Sequence, residues 1–375
     1  MLRYGGEEIP LKLVYFKIIK PKTDEEILIK NDSSGNPQMP SLIAEVTLEG
    51  AGIDPTMIDT LPICWKTQVE YIVNTKVKKR ARKGLDPEGA GEGKDGFLIP
   101  VPAPDDPAKD CIEREGSTFV IDDAGNSGAK WGDNFGGGIL EITAKTKINN
   151  IEISNTYKGK IEGETFSDTF KSQMTSYLEN PDADQTTPTI RSQVGYGKFF
   201  RVIAYIEARH RHFYPSIYGE PNGAIYPREN ELGDGGFGVM QLTDPIPTYE
   251  QIWNYKLNID AGVELIRSKL EQARGYPEFV RTIGCTTPPQ GDTYFCRPIQ
   301  KKYPDATDFN SYELRMDTYS LYNSDWHYWK WIVIDEKRGI KGWQSRHPKG
   351  KAPKITGSYY ADEAEKIEKN PPSDF

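Results

Sequence analysis

Hydrophobic and polar residues alternate along much of the first half of the chain, with the period of two that β-strands show when one face is buried. In the segment GILEITAKT, Leu140, Ile142 and Ala144 fall on one face, and Glu141 and Lys145 fall on the other. Short runs of this kind, rich in β-branched residues and separated by turn residues, are Lys12–Lys20, Glu26–Lys30, Leu42–Gly50, Thr67–Val73, Ser117–Ile121, Gly138–Lys147 and Ile151–Tyr157. About seven such runs in ~150 residues predict an antiparallel, immunoglobulin-like β-sandwich over residues 1–157. Nothing in this region has catalytic spacing, so we interpret it as a targeting or adaptor domain.

Near Gly159 the hydrophobic period lengthens to that of an α-helix, which predicts a mainly α-helical domain over residues 158–375. The helical stripes are Phe166, Phe170, Met174, Tyr177 and Leu178; then Phe199, Val202, Ile203 and Ile206; then Ile259, Val263, Ile266 and Leu270. Asn258 and Asp308 have side chains suited to N-caps and predict the starts of two helices. The segment Tyr360–Lys369 is rich in charged residues and predicts a short, polar helix at the surface.

Composition limits the classes of protein that this chain can belong to. At 375 residues the chain is long for one compact domain, and two domains are expected. A formal net charge of -8, with no basic stripe interleaved with aromatics, argues against a nucleic-acid partner. No run approaches the roughly 18 apolar residues that span a bilayer, so no stable membrane insertion is expected. The first residues lack the pattern of a secretory signal peptide, which predicts synthesis in the cytoplasm.

Four cysteines are too few for a dense disulfide scaffold. Cys285 and Cys296 bracket a loop of Pro and Gly residues that one disulfide closes readily, and Cys64 and Cys111 form a second possible pair. Such a division suits an oxidising destination, but buried thiols explain the count equally well.

Glu207 is the strongest candidate for catalysis because it lies beside the apolar stripe of FFRVIAYI. Glycoside cleavage needs a carboxylic acid that keeps its proton near neutral pH, and apolar surroundings raise a carboxyl pKa. The alternative is a glutamate at the polar edge of an amphipathic helix, paired with Arg209 or Arg211. A glycine-rich turn follows in GDGGFGVMQLTD, where the glycines permit positive φ and a close approach to a polymer.

Four motifs follow one another in order: Glu207 on an apolar helix, then GGFGVMQLTD, NIDAGVELIRSKL and YSLYNSDW. This order resembles the lysozyme-like superfamily, in particular its soluble lytic transglycosylases and goose-type lysozymes. The resemblance covers roughly residues 159–343. It departs from the family at Ala208, where serine is usual, and in the length of the loop between Glu207 and Asp234.

The resemblance implies a mainly α, lysozyme-like fold and a muramidase that cleaves the β-1,4 bond between N-acetylmuramic acid and N-acetylglucosamine in peptidoglycan. Glu207 matches the general acid, and Asp234 and Asp244 match carboxylates that help to position a water. The residues that match the substrate cleft are Gly238, Met240, Gln241, Tyr322 and Asn323. Trp326 belongs to an aromatic cluster just past Tyr322, where a flat ring can stack on a sugar face, and core packing is the alternative. If a carboxylate holds water opposite Glu207, hydrolysis with inversion follows, with the two carboxyls roughly 6.5–9.5 Å apart. If none does, the 6-hydroxyl of the sugar attacks and yields an anhydro product, as in a lytic transglycosylase.

No cofactor or metal is implied. His210 and His212 are two residues apart and face different ways on a helix, so they cannot share a metal, and they are expected to be solvated or capping. The acidic residues Glu220, Glu229, Glu231 and Asp234 lack the spacing of a calcium loop.

Peptidoglycan lies outside the cytoplasm, so the muramidase hypothesis implies that the protein is delivered to the periplasm or cell wall. Delivery through a type VI secretion apparatus or a phage particle would make the chain an antibacterial effector or a phage-type lysin. Its partners would then be the glycan strand, the delivery apparatus and an immunity or inhibitor protein. Two alternatives remain: a non-catalytic structural protein that binds a glycan or a partner through a lysozyme-like fold, and an enzyme acting on chitin-like polymers.

Overall fold

The structure is a computed structural model of the chain. It describes residues 2–4, 7–9, 14–22, 25–50, 54–72, 96–100, 111–122, 131, 135–148, 150–165, 167–215, 224–229, 236–245, 247–283, 308–324, 326–335, 337–338, 340–345 and 356–375. Among these residues, no helix combines the length and the apolar character that a bilayer-spanning segment requires.

Strands dominate the first part of the described chain and helices dominate the later part. The strands are β1 (Leu2–Tyr4), β2 (Glu7–Ile9), β3 (Val14–Lys20), β4 (Ile27–Asn31), β5 (Pro37–Gln38), β6 (Leu42–Gly50), β7 (Pro62–Ile72), β8 (Gly96–Pro100), β9 (Ile112–Glu115), β10 (Thr118–Ile121), β11 (Gly138–Ile148), β12 (Ile151–Gly163), β13 (Phe213–Pro215), β14 (Ile225–Pro227), β15 (Trp329–Asp335) and β16 (Ile340–Ser345). The helices are α1 (Asp168–Glu179), α2 (Ile190–Val194), α3 (Phe199–Ala208), α4 (Tyr249–Trp253), α5 (Tyr255–Ile283), α6 (Ser311–Asn323) and α7 (Thr356–Lys369). Each of the seven predicted β runs contains a strand, so the mixed α and β character is confirmed.

The chain divides into two compact units, each built from two segments. The first unit comprises Met1–Phe170 and Arg211–Tyr255, and the second comprises Lys171–His210 and Lys256–Phe375. The predicted domain boundary after residue 157 stays a prediction, since a unit built from two segments does not define a single cut in the chain.

Two sheets form the core of the first unit. The smaller sheet has the strand order β10–β6–β3, and the larger has the order β5–β4–β12–β11–β7–β8, with β9 also paired to β7. Leu140, Ile142 and Ala144 of β11 have no exposed surface, as their alternation predicted. Beside Ala144, Trp65 of β7 stacks on Phe119 of β10 with ring centroids 5.3 Å apart, which joins the faces of the two sheets.

Strand β12 runs further than its sequence predicted, from Ile151 to Gly163 rather than to Tyr157. Its last residues pair in parallel with β4, so the sheet is not wholly antiparallel as expected. Gly159, near which the hydrophobic period changes, and Gly163 both lie in the strand, and neighbouring rings occupy the space that a side chain would need. A Cβ on Gly163 would lie 2.3 Å from the ring of Phe213.

A disulfide joins Cys64, in β7, to Cys111, immediately before β9, with the Cα atoms 5.4 Å apart. Of the two arrangements that the cysteine count left open, this part of the chain therefore adopts the oxidised one. Cys285 and Cys296 lie outside the described residues.

The helices of the second unit bury the predicted stripes. In α5, Ile259, Val263 and Ile266 have no exposed surface. Asn258 is also fully buried and lies within α5 rather than capping it, so its prediction as an N-cap is wrong. The cap of α6 is Asn310 and not Asp308: the Asn310 side chain accepts hydrogen bonds from the first turn of the helix.

The prediction of a short, polar surface helix at Tyr360–Lys369 is only partly confirmed by α7. The segment is helical, but Tyr360, Ala361, Ala364 and Ile367 are buried along one face. Two of these residues are alanines, which add little hydrophobicity to a sequence window although they permit close helix packing. The expected surface helix is therefore a packed one, lying against α6 and α3.

Candidate active site

Glu207 lies in the last turn of α3, a helix that is almost wholly enclosed. Phe199, Val202 and Ile203 have no exposed surface, and Phe199 stacks on Tyr319 of α6 with ring centroids 4.5 Å apart. Glu207 itself is half-buried. The hydrophobic stripe thus fixes the helix on α6 and leaves one carboxylate at the boundary between core and solvent.

Two tyrosines from different helices interact with Glu207. Tyr322 comes from α6 and Tyr360 from α7, and their ring centroids are 6.4 Å apart. Burial, followed by the charge of Glu207, raises the pKa of Tyr322 well above its usual value. The same two causes, in the same order, raise the pKa of Tyr360. Both groups therefore remain neutral hydroxyls at physiological pH and can donate to a carboxylate.

Tyr360 is the more buried residue of the two. Tyr360 is 5% exposed, whereas Tyr322 is partly exposed as a residue. The Tyr360 hydroxyl makes no well-aligned hydrogen bond with another described residue, although it interacts with the Glu207 carboxylate. We therefore describe this contact as a close approach of a neutral hydroxyl to a carboxylate, which a small rotation of either side chain turns into a hydrogen bond.

Acidic side chains of α7 hold that helix, and with it Tyr360, in place. Tyr319 donates to Glu368 at 2.9 Å, Tyr312 donates to Glu365 at 3.1 Å, and Tyr328 donates to Asp362 at 2.7 Å. Burial raises the pKa of Glu368. Sequence reasoning missed Tyr360, and the only available signal was the helical spacing of Tyr360, Ala361, Ala364 and Ile367.

Asn323 and Trp326 follow Tyr322 at the end of α6. Asn323 is exposed, and Trp326 is 41% exposed. The backbone carbonyl of Trp326 accepts a hydrogen bond from Ser320 at 2.7 Å, which fixes the chain as it leaves the helix. Both side chains are accessible to a ligand, and an exposed indole offers a flat face for stacking on a sugar.

The predicted glycine-rich turn exists in the first unit. The backbones of Phe237 and Leu242 exchange two hydrogen bonds of 3.1 Å, and the chain reverses between them. Gly238 and Gln241 adopt positive φ of 73° and 48°. Gln241 holds the turn through its side-chain amide, which donates to the carbonyl of Gly238 at 2.7 Å.

His212 anchors the same turn from the inside. Its Nδ1 accepts the backbone N–H of Val239 at 3.3 Å, and burial lowers the pKa of His212 to about 3. His210, in the second unit, is also fully buried. The expectation that these histidines are solvated is therefore wrong.

The remaining predicted site residues of the first unit differ in their exposure. Met240 has no exposed surface and packs in the core, so contact with a substrate would require the turn to move. Asp244 is exposed. Asp234 lies outside the described residues.

Glu229 is a further carboxylate beside the turn, where it forms a β-bridge with Phe237. It accepts a hydrogen bond of 3.2 Å from Tyr71, a fully buried residue of β7. Burial, and then Glu229, raise the pKa of Tyr71. Across the described residues, no group of three or more His, Cys, Asp and Glu side chains has the geometry of a metal site.

Comparison of the chain with protein-family models, with curated proteins and with solved structures finds no match in any of the three. The arrangement of Glu207, Tyr322 and Tyr360 therefore has to support a functional assignment by its own chemistry.

Proposed function

We propose that this chain is a muramidase that cleaves the β-1,4 bond between N-acetylmuramic acid and N-acetylglucosamine in peptidoglycan, with Glu207 as the general acid. The observation that carries the proposal is the approach of two neutral tyrosines, Tyr322 and Tyr360, to one half-buried carboxyl group at the end of a buried helix. The proposal includes the finer fold assignment, an immunoglobulin-like β-sandwich followed by a lysozyme-like α domain.

The chemistry follows from what happens to Glu207 during glycoside cleavage. The carboxylic acid gives its proton to the leaving oxygen and becomes a carboxylate as the bond breaks. Hydroxyls close to this group donate more strongly to the anion than to the acid. Such donors stabilise the transition state more than the ground state, which is the condition for catalysis.

The other half of the reaction needs a nucleophile at the anomeric carbon. In the hydrolytic version, a second carboxylate orients a water, and the product is a reducing sugar. In the transglycosylase version, the 6-hydroxyl of the N-acetylmuramic acid attacks and closes a 1,6-anhydro ring. The surface residues Asn323 and Trp326, which follow Tyr322, would contact the glycan in either version.

The substrate implies that the protein acts in the periplasm or at the cell wall, after delivery by a secretion apparatus or a phage particle. The disulfide between Cys64 and Cys111 supports such a destination, because disulfides persist in oxidising compartments. A muramidase effector also calls for an immunity or inhibitor protein in the producing cell.

A second candidate function is a non-catalytic protein that binds a glycan or a partner through the same fold. One observation favours it: Ala208, where the resembling enzymes have serine, is fully buried and contributes no hydroxyl next to Glu207.

The experiment that tests the proposal measures the turbidity of purified peptidoglycan exposed to wild type and to Glu207→Gln. We expect wild type to clear the suspension and the variant to lose roughly 10²–10⁴-fold in rate, the usual contribution of a general acid. Clearing by both proteins at the same rate would exclude the proposed acid. Binding of peptidoglycan by both, with clearing by neither, would favour the second candidate.

A further inference from the structure

Helix α3 ends at Ala208, and the two residues that follow have an unusual backbone conformation. Arg209 and His210 both adopt positive φ, of 52° and 57°. Residues other than glycine rarely adopt this region, and two in succession persist only when the surroundings hold them there. Something beyond the helix therefore fixes the backbone that carries Glu207.

Part of that support comes from His210 itself. His210 has no exposed surface, and its Nε2 lies 2.9 Å from the backbone carbonyl of Arg201, two turns earlier in α3. Its backbone N–H donates to the carbonyl of Ala204 at 3.3 Å. The ring thus folds the end of the helix back against its own middle.

The rest of the support comes from residues 374 and 375. The Phe375 ring lies against the rings of Tyr205 and His210, with centroids 5.6 Å and 5.4 Å away. The guanidinium of Arg201 lies over the Phe375 ring at 4.5 Å from its centroid. One aromatic ring therefore bridges the middle of α3 and His210, the second residue after the end of the helix.

Asp374 adds two polar contacts to the same face. Tyr205 donates to its carboxylate at 2.7 Å, and Lys171 donates to its backbone carbonyl at 2.6 Å. We name these contacts, made by Asp374 and Phe375 on Arg201, Tyr205 and His210, the Phe375 clamp.

The position of the clamp on α3 separates it from the reacting groups. Arg201 and Tyr205 are four residues apart and share one face of the helix, whereas Glu207 is two residues beyond Tyr205 and points roughly to the opposite side. The clamp therefore holds the helix from behind, without itself reaching a substrate at Glu207.

We propose that the Phe375 clamp positions Glu207, and that Phe375 and His210 are positioning residues for the reaction. This inference rests on the proposed function for its catalytic consequence. The structural claim, that the clamp fixes the last turn of α3, does not depend on any enzymatic activity. An anchor that merely adds stability to the whole unit is the competing explanation.

The test compares Phe375→Ala with wild type in the full chain, and uses Tyr359→Ala as the matched control. Tyr359 is an aromatic residue of the same unit and is 62% exposed, so its loss removes a ring without removing the clamp. The first readout is amide hydrogen exchange. In Phe375→Ala we expect the amides of residues 206–210 to exchange at least tenfold faster, with α5 and α6 unchanged, and we expect no change in the control.

The second readout is steady-state kinetics on peptidoglycan. We expect Phe375→Ala to lower kcat by roughly tenfold with KM unchanged, and Phe375→Tyr, which retains the ring, to restore it. Faster exchange across the whole second unit, or no change at residues 206–210, would overturn the clamp. If Phe375→Ala does not fold, Tyr205→Phe, which removes only the hydrogen bond to Asp374, gives the same exchange test.

The two readouts fail independently of each other. A wild type with no activity on peptidoglycan would refute the proposed function, while local exchange at residues 206–210 would still support the clamp. An active wild type whose kcat is unaffected by Phe375→Ala would refute the positioning role alone.

Discussion

Acidification should weaken the fold through His210, the histidine that closes the helix carrying Glu207. Burial, opposed by the hydrogen bond to the Arg201 carbonyl, lowers the pKa of His210 to about 4. The charges of Arg201 and Lys171 lower the pKa further, and that of Asp374 raises it. In the unfolded chain the ring titrates near its usual pKa of about 6.5.

The sign of the effect follows from proton binding. Between pH 6.5 and pH 4, His210 is protonated in the unfolded chain but neutral in the folded chain. The free energy of unfolding therefore falls as pH falls. The stabilisation is fully present above the unfolded pKa and is lost as pH drops through this window. A pKa difference of about 2.5 units corresponds to roughly 3.5 kcal/mol in total at about 1.4 kcal/mol per unit.

The assay has two parts, NMR titration of the ring and urea unfolding of wild type and His210→Asn. Asparagine tolerates positive φ and keeps a donor, but it does not titrate. The chain contains four histidines, so the signal that disappears in the variant identifies His210. We expect that signal to stay neutral down to about pH 4, and wild type to lose about 3 kcal/mol more than the variant between pH 7 and pH 4. A His210 pKa near 6.5, or equal losses in the two proteins, would refute this account of the helix end.

Three further predictions concern the disulfide, the turn and the second tyrosine. Replacing Cys64 and Cys111 by serine should lower the free energy of unfolding by about 4 kcal/mol, because the closed loop is long; urea unfolding of oxidised protein checks this, and an unchanged midpoint would contradict it. Met240→Ala should leave a cavity in the core and lower the free energy of unfolding by roughly 2–5 kcal/mol. A change near zero in urea unfolding would mean that Met240 is not packed as described. Tyr360→Phe should reduce kcat by roughly 10–100-fold, the value of a hydrogen bond to a charged group, with thermal stability nearly unchanged; wild-type kcat in this variant would remove Tyr360 from the mechanism of Glu207.

Local pattern was a good guide wherever burial follows from periodicity. The alternation around Leu140 and Ile142 predicted both the strand and its buried face, and the stripe beside Glu207 predicted the helix α3. In each case the two faces of the strand or helix differ clearly in hydropathy, so the sequence predicts which face is buried.

The failures arise where distant packing overrides a local signal. Asn258 has the side chain of a cap but is buried inside α5. The hydrophobic period changes near Gly159, yet the strand β12 continues to Gly163, where the absence of a side chain makes room for Phe213. Tyr360 belongs to a segment rich in charged residues, two of which accept hydrogen bonds from tyrosines of α6, far away in the sequence. Met240 was expected at a cleft because of the resemblance, while its burial depends on the whole first unit.

The central claim is that Glu207 supplies the proton for glycoside cleavage, and mass spectrometry of the muropeptides released from purified peptidoglycan tests it most directly. The proteins to compare are wild type, Glu207→Gln and the control Glu264→Gln, whose carboxylate is exposed on α5. We predict that wild type and the control release muropeptides cut after N-acetylmuramic acid, with either reducing or 1,6-anhydro ends, and that Glu207→Gln releases almost none. Equal release by Glu207→Gln and wild type would contradict the account.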